Sequence, residues 1–390
     1  MAAPRKIKTR FLIISDTHGA RPYPEDQPFR RDRVGQNLAQ HGIQMLHGFR
    51  RPLPAADVLI HCGDLTRSSG PDEYAATVAL LREVDAPLKL AIPGNHDTAM
   101  DRPVWAELLT TMPRHDRHGA DKTRYPARVL DMLDRARRDD GILVLDEGTY
   151  RFVLASGARL TVYATPHTPA YGFWGFQYTP AAEGGPGHDF AIPARGDVDV
   201  VMSHGPPRLV LDRTSSGEDV GCPALLARTA ASRPRLHCFG HIHESWGARL
   251  VRWEEDDDDD PDNDDNNNNN NNNNKSVDLA RLEDLDPHPT RDPPEEKRAK
   301  AARHNALAER RCISASLCQG DARPLEYGAE TLFVNAAIMN LAYQPVHLPW
   351  LVDLELDEAT EEDRRRAEAT PAAIEAALDM KSVTKDPEER

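Results

Sequence analysis

The sequence predicts an α/β fold of layered sheets, a β-sandwich flanked by helices, and three observations lead there. Short apolar runs rich in β-branched residues recur along the 390 residues, helical periodicity separates the early ones, and several runs stop at a block of Asp, Asn or His. Ligands of such folds bind in loops at the carboxyl ends of strands, so the polar blocks are candidate functional residues.

The first strand is expected over residues 7–15, ending in Asp16-Thr17-His18-Gly19, and the second over 58–62, ending in Gly63-Asp64. Residues 71–83 have helical spacing after the start signal Pro71-Asp72-Glu73, and 88–92 form a third strand that ends in Pro93-Gly94-Asn95-His96-Asp97. This order is β-α-β. Further strands are predicted at 151–154, 160–165, 198–203, 236–239, 248–253, 332–335 and 350–356, and helices at 105–110, 127–137 and 223–229.

Composition sets limits on the rest. Hydrophobic residues make up 39% and aromatics 6%, beside 31 Pro and 24 Gly, which is low for a chain packed from end to end. From residue 254 to 303 an Asp run, an Asn run (266–274) and a Pro-rich charged stretch follow one another, and a disordered insertion is expected there. The domain is expected to occupy 1–253 and to continue at 304–356, with a charged tail at 357–390 that holds one helix at 361–380.

The formal charge of −15 is concentrated in two places: residues 254–265 carry ten acids and no base, and 353–390 carry thirteen acids against six bases. The remainder is close to neutral, which argues against a nucleic-acid or membrane-binding basic face. No stretch approaches the roughly 18 apolar residues of a membrane span, and the basic start lacks an apolar signal segment, so a cytoplasmic protein is expected. Five cysteines without CxxC spacing argue against both a disulfide framework and a thiolate zinc site, and most are expected to be buried as small hydrophobes.

In order, the polar blocks are Asp16-x-His18, Gly63-Asp64, Gly94-Asn95-His96-Asp97, Ser203-His204-Gly205 and Gly240-His241-Ile242-His243. A lone His after a strand is most often a satisfied histidine, and a lone Gly-Asp is usually a turn. Five together point elsewhere. The carboxylates Asp16 and Asp64, the amide Asn95 and the imidazoles His18, His204, His241 and His243 make a mixed O/N set that suits two Mn, Fe or Zn ions better than Mg or Ca. Two divalent ions against two carboxylates leave a net positive site, fit to polarise phosphoryl oxygens and generate hydroxide near neutral pH.

The ordered blocks D-T-H, G-D-L, G-N-H-D, S-H-G and G-H-I-H resemble the calcineurin-like metallophosphoesterases over residues 7–253, and again at 332–351. The wording IHCGDLTRSSG, SHGPP, GHIHESWG and VNAAIMN is similar to the metallophosphoesterase-domain-containing branch related to class III cyclic nucleotide phosphodiesterases. The resemblance implies that Asp16, His18 and His243 bind one metal, that Asp64 bridges both, and that Asn95, His204 and His241 complete the second. It also implies that His96 sits beside the phosphate as transition-state stabiliser or acid, oriented by Asp97. Some members of the branch lack a ligand His in the GHIH block; His241 and His243 are both present here.

Around the site, the aromatic segment 171–178 either stacks on a base or aryl group or packs on the domain's own core. Arg67 either pairs with a phosphate oxygen or is a solvated loop residue. His167 is expected to be a structural loop histidine, His61 and His237 core or surface residues, and Glu244 a group behind the metal ligands. The reading is a dinuclear-metal phosphodiesterase for small nucleotide-like or cyclic nucleotide esters. Monoester or phosphoprotein hydrolysis, or a regulatory binding protein with little turnover, are the alternatives.

Overall fold

The computed structural model describes residues 5–27, 29–254 and 276–383. In chain order the first strands are β1 (Lys6–Ile14), β2 (Val58–His61), β3 (Leu88–Ala91), β4 (Ile142–Val144), β5 (Gly148–Val153) and β6 (Arg159–Thr165). The short β7 (Thr168–Pro169) and β8 (Gln177–Tyr178) form a ribbon of their own, followed by β9 (Val200–Ser203), β10 (Leu236–Phe239) and β11 (Gly247–Arg252). Next come β12 (Val277–Arg281), β13 (Ile313–Ser316), β14 (Glu330–Asn335) and β15 (Trp350–Asp357). The α-helices are α1 (Arg33–Gln40), α2 (Pro71–Glu83), α3 (Arg102–Thr111), α4 (Tyr125–Asp140), α5 (Pro223–Ser232), α6 (Leu282–Leu285), α7 (Pro294–Glu309), α8 (Glu361–Ala367) and α9 (Thr370–Val383).

Two sheets result, one in the order β13-β15-β1-β2-β3-β4 and the other β12-β11-β14-β10-β9-β6-β5. In the first, β1 to β4 run parallel, and β1 pairs antiparallel with β15. In the second, β6, β9, β10 and β14 are parallel, with antiparallel strands at each side. Strand alternation explains how they stack. Phe11 and Ile13 of β1 join Val58, Ile60, Val162, Val200, Met202 and Val334 in one core between the sheets. Leu12 and Ile14 point the other way, onto Tyr74, Val78 and Leu81 of α2 and Val129 and Leu133 of α4. A strand buried on both faces reads as an unbroken apolar run, which is what FLII is.

The topology brings the polar blocks to one end. Asp16, Asp64 and Asn95 follow β1, β2 and β3, and His204 and His241 follow β9 and β10, all at carboxyl ends of parallel strands. The sheets close there: Ser15 N donates to the Ala336 carbonyl at 2.9 Å, and Ala336 N donates to Phe239 O at 2.8 Å.

Part of the expected disordered insertion is folded. Residues 255–275 lie outside the described residues, but β12 pairs with β11, and Leu285 and Ala301 are buried. The Pro- and charge-rich composition hid these elements because few apolar side chains, among them Leu285 and Ala301, make the contacts. The tail also differs from the single expected helix. Thr360 caps α8, Thr370 Oγ1 donates to Arg151 O at 2.7 Å, and Ile374 is buried against the core. All five cysteines are buried and unpaired. No helix among the described residues is long and apolar enough to cross a membrane.

Candidate metal centre

Seven side chains from five loops converge. The donor atoms of Asp16, His18 and His243 lie within 4.8 Å of one another, as do those of Asp64, His204 and His241, and those of His18, Asp64 and His96. Asn95 Oδ1 is 2.8 Å from His204 Nε2. His18 Nε2 stands 3.6 Å from one Asp64 oxygen and His204 Nε2 3.4 Å from the other, so this carboxylate lies between two groups of donors. His243 Nε2 is 3.4 Å from Asp16 Oδ1.

The backbone is strained to achieve this. Asp16, His18, Asp64 and His241 all have positive φ, at 54°, 47°, 53° and 69°. Non-glycine residues rarely adopt that conformation, and such strain clusters at functional sites. Two glycines explain the invading blocks: a Cβ on Gly240 would stand 1.9 Å from Asp16 Oδ2, and one on Gly94 2.3 Å from Asp64 Oδ1.

Hydrogen bonds to the outer ring nitrogens set the tautomers. The Nδ1 atoms of His18, His204 and His243 face the carbonyls of Thr66 (2.9 Å), Cys62 (2.9 Å) and Asn340 (3.3 Å). A carbonyl only accepts, so Nδ1 holds the hydrogen and the Nε2 lone pair turns inward. There it meets other acceptors: Asn95 Oδ1 and Asp64 at His204, Asp16 at His243. His18 Nε2 is buried with no hydrogen-bond partner. Asp16 and Asp64 are themselves buried, and their ion-pair partners among the described residues are imidazoles. Lone pairs and carboxylates facing one space fit divalent cations.

The electrostatics agree. Burial alone would raise both carboxyls, but the surrounding imidazoles, His243 foremost for Asp16 and His204 for Asp64, hold them below the usual range. Loss of hydration keeps His18 and His241 neutral, pushing the latter down to about 3. Burial opposes charge on His243 as well, yet Asp16 and Asp64 raise it. A field that favours a proton at this position favours a metal ion too.

His96 faces the centre without the expected partner. Its Nδ1 bonds Arg67 O at 2.8 Å, and its backbone N–H donates to Asp64 Oδ1 at 2.9 Å. Asp97 does not touch the ring. Its carboxylate instead accepts from the N–H groups of Leu65 (3.0 Å), Thr66 (3.0 Å) and Gly94 (2.8 Å) and from Thr66 Oγ1 (2.7 Å). It therefore ties the Gly63-Asp64 loop to the Gly94-Asn95 loop. Burial, with the neighbouring Asp64 charge, raises it to about 7.

Glu244 makes a different contact from the one expected: its carboxylate accepts from Ser215 N at 2.7 Å and holds that loop. His237 is a core residue bonded to Ser203 Oγ at 2.8 Å. His61, also buried, bonds Thr17 Oγ1 at 2.8 Å inside the first block.

The aromatic segment divides: Tyr171 and Trp174 lie over the centre, whereas Phe176 and Tyr178 pack on the core. The Trp174 ring is 4.4 Å from that of His96, and Tyr171 is 5.3 Å from His241. Tyr343, which the sequence did not mark, joins them: its ring is 4.9 Å from His18, and the Arg67 guanidinium stacks on it at 4.4 Å. Its only local signal is a polar aromatic in the loop after the VNAAIMN run.

A sandwich with an Asp/His/Asn constellation at the carboxyl ends of its parallel strands defines the metallophosphoesterase class. The calcineurin-like phosphoesterase family model matches residues 9–245, and the chain belongs to this family. Metallophosphoesterase domain-containing protein 1 of Homo sapiens is 31% identical over 245 residues, 61% of this chain and 62% of that one. A UPF0046 protein of Caenorhabditis elegans is 28% identical over 200 residues, 50% of this chain and 48% of its own. The probable rhamnogalacturonate lyase C of Emericella nidulans is 33% identical over 208 residues, 53% of this chain but only 17% of the lyase.

Proposed function

We propose that the chain is a dinuclear-metal-dependent phosphodiesterase acting on small nucleotide-like esters, cyclic nucleotides among them. The observation that carries this reading is the position of Asp64 between two sets of donors, with an aromatic wall of Trp174, Tyr171 and Tyr343 beside it. Asp16, His18 and His243 would hold one ion and Asn95, His204 and His241 the other, with Asp64 shared. Bound ions would polarise the phosphoryl oxygens and lower the pKa of water.

The protein's own groups do the rest. Arg67, braced on Tyr343, offers a guanidinium to a phosphoryl oxygen. His96, its Nδ1 fixed by Arg67 O, presents Nε2 toward the centre to stabilise the developing charge or protonate the leaving oxygen. The exposed faces of Tyr171 and Phe173 offer stacking area to a base or aryl group.

The test is hydrolysis of an aryl phosphodiester beside its monoester by metal-stripped protein, with and without Mn²⁺. Mn-dependent cleavage favouring the diester, abolished by Asp64→Asn, is expected. A strong preference for the monoester would replace the diester reading.

A further inference from the structure

Away from the centre just described, Glu147, His167 and His188 bring three donor atoms within 4.8 Å of one another. His188 Nε2 is 2.9 and 3.0 Å from the two Glu147 oxygens, and His167 Nδ1 is 3.2 Å from Oε2. The two imidazoles stack with centroids 4.5 Å apart. None of the three belongs to the five polar blocks. They come from the loop before β5, the turn between β6 and β7, and the segment before β9.

We propose that this triad is a separate binding site for one zinc-class divalent ion. Two imidazoles and a carboxylate are zinc chemistry, not that of Mg or Ca. Ligands about 2.0–2.2 Å from a zinc ion stand roughly 3 to 3.5 Å from one another, and the two histidine-to-carboxylate distances, 2.9 and 3.2 Å, are close to that. The carboxylate is further aimed by Tyr163, whose hydroxyl donates to Oε1 at 2.5 Å, the kind of outer contact that orients metal-ligating carboxylates. The side chains keep 29%, 26% and 19% of their surface for His167, Glu147 and His188, so the site is open to solvent and a water completes the tetrahedron.

The position gives the ion a task. His167 directly precedes β7, whose pairing with β8 closes the segment carrying Tyr171 and Trp174, and Tyr178 at the far end of that ribbon lies 5.2 Å from His188. An ion here pins the root of the aromatic loop to the sheet through Glu147.

Zinc retained by the full chain after dialysis, counted by elemental analysis, tests the site. Glu147→Gln, His167→Ala and His188→Ala should each retain one equivalent fewer than wild type, with folding checked by circular dichroism. That difference does not depend on how many ions the centre at Asp64 holds. It should persist in the Asp64→Asn background, which separates this site from the proposed phosphodiesterase centre. On Co²⁺ titration, visible absorption that is stronger in the Asp64→Asn chain than in the Asp64→Asn, His167→Ala chain reads the same site where the other variants do not fold. Equal retention in wild type and folded variants would leave a hydrogen-bonded network and overturn the site.

Discussion

The Nε2 atom of His96 lies 3.5 Å from the hydroxyl oxygen of Tyr343, although 247 residues separate them. That is long for a hydrogen bond, so the two groups face a common space without being consumed by each other. Tyr343 also stacks under Arg67, so one phenol lies beside two groups that the phosphodiesterase reading uses.

His96→Ala should therefore lower turnover by about 10²- to 10⁴-fold, the usual range for a lost acid–base group, while metal content stays at the wild-type level. Tyr343→Phe keeps the ring under Arg67 and removes only the hydroxyl, so a loss of about two- to tenfold is expected, the effect of one net hydrogen bond from that hydroxyl to the bound ester. Steady-state kinetics with metal analysis checks both. An empty centre in His96→Ala would make the residue a ligand instead.

Gly240→Ala should empty the half-site of Asp16 and His243. The added methyl would fall on Asp16 Oδ2 and only 2.2 Å from Ser15 Oγ, so the carboxylate must swing away. Metal content should drop as far as in Asp16→Ala, although no donor has been removed. Unchanged stoichiometry would show that the loop after β10 yields more easily than its packing indicates.

Asp97→Asn should destabilise the fold. Each carboxylate oxygen accepts two hydrogen bonds, and an amide would turn an NH₂ group toward two donors. Unsatisfied buried donors cost about 1–3 kcal/mol each, so a loss of roughly 2–5 kcal/mol is expected in denaturant unfolding. Turnover should fall with it, since the loops carrying Asp64 and Asn95 are no longer tied.

The polar blocks are legible in the sequence, and the contacts around them are not. The candidate ligands could be read because their blocks close apolar runs, and Asp64, Asn95, His204 and His241 each stand beside a glycine where a side chain would clash. Asp97 stood in the same block, but whether it faces the His96 ring or four hydrogen-bond donors is decided by a neighbouring loop. Tyr343 and His188 carried no pattern, because their roles depend on contacts across the sandwich. The elements β12 and α7 were hidden by composition: α7 is rich in Lys, Arg and Glu and buries only a few residues, Lys300, Ala301, His304 and Ala308 among them. Deleting 276–309 should accordingly unfold the domain, which a melting curve would show.

Buried histidines set the acid limit of stability. His304 and His347 are enclosed beside Arg30 and Asp286, and burial pushes both from 6.5 down to about 4. Each donates one ring hydrogen, His304 Nε2 to Leu46 O at 3.0 Å and His347 Nδ1 to Ala337 O at 3.0 Å. The unfolded chain binds protons at these positions near pH 6.5, whereas the folded chain does so only near 4. Their contribution is thus fully present above 6.5 and is lost as pH falls toward 4, on the order of 3 kcal/mol for each ring. His304→Gln keeps a side-chain donor for Leu46 O and removes the titration. With chelator present throughout, the advantage of wild type over His304→Gln in urea unfolding should shrink by about that amount between pH 7.5 and 4. A difference that stays constant over this range would mean that His304 is hydrated or already charged in the fold.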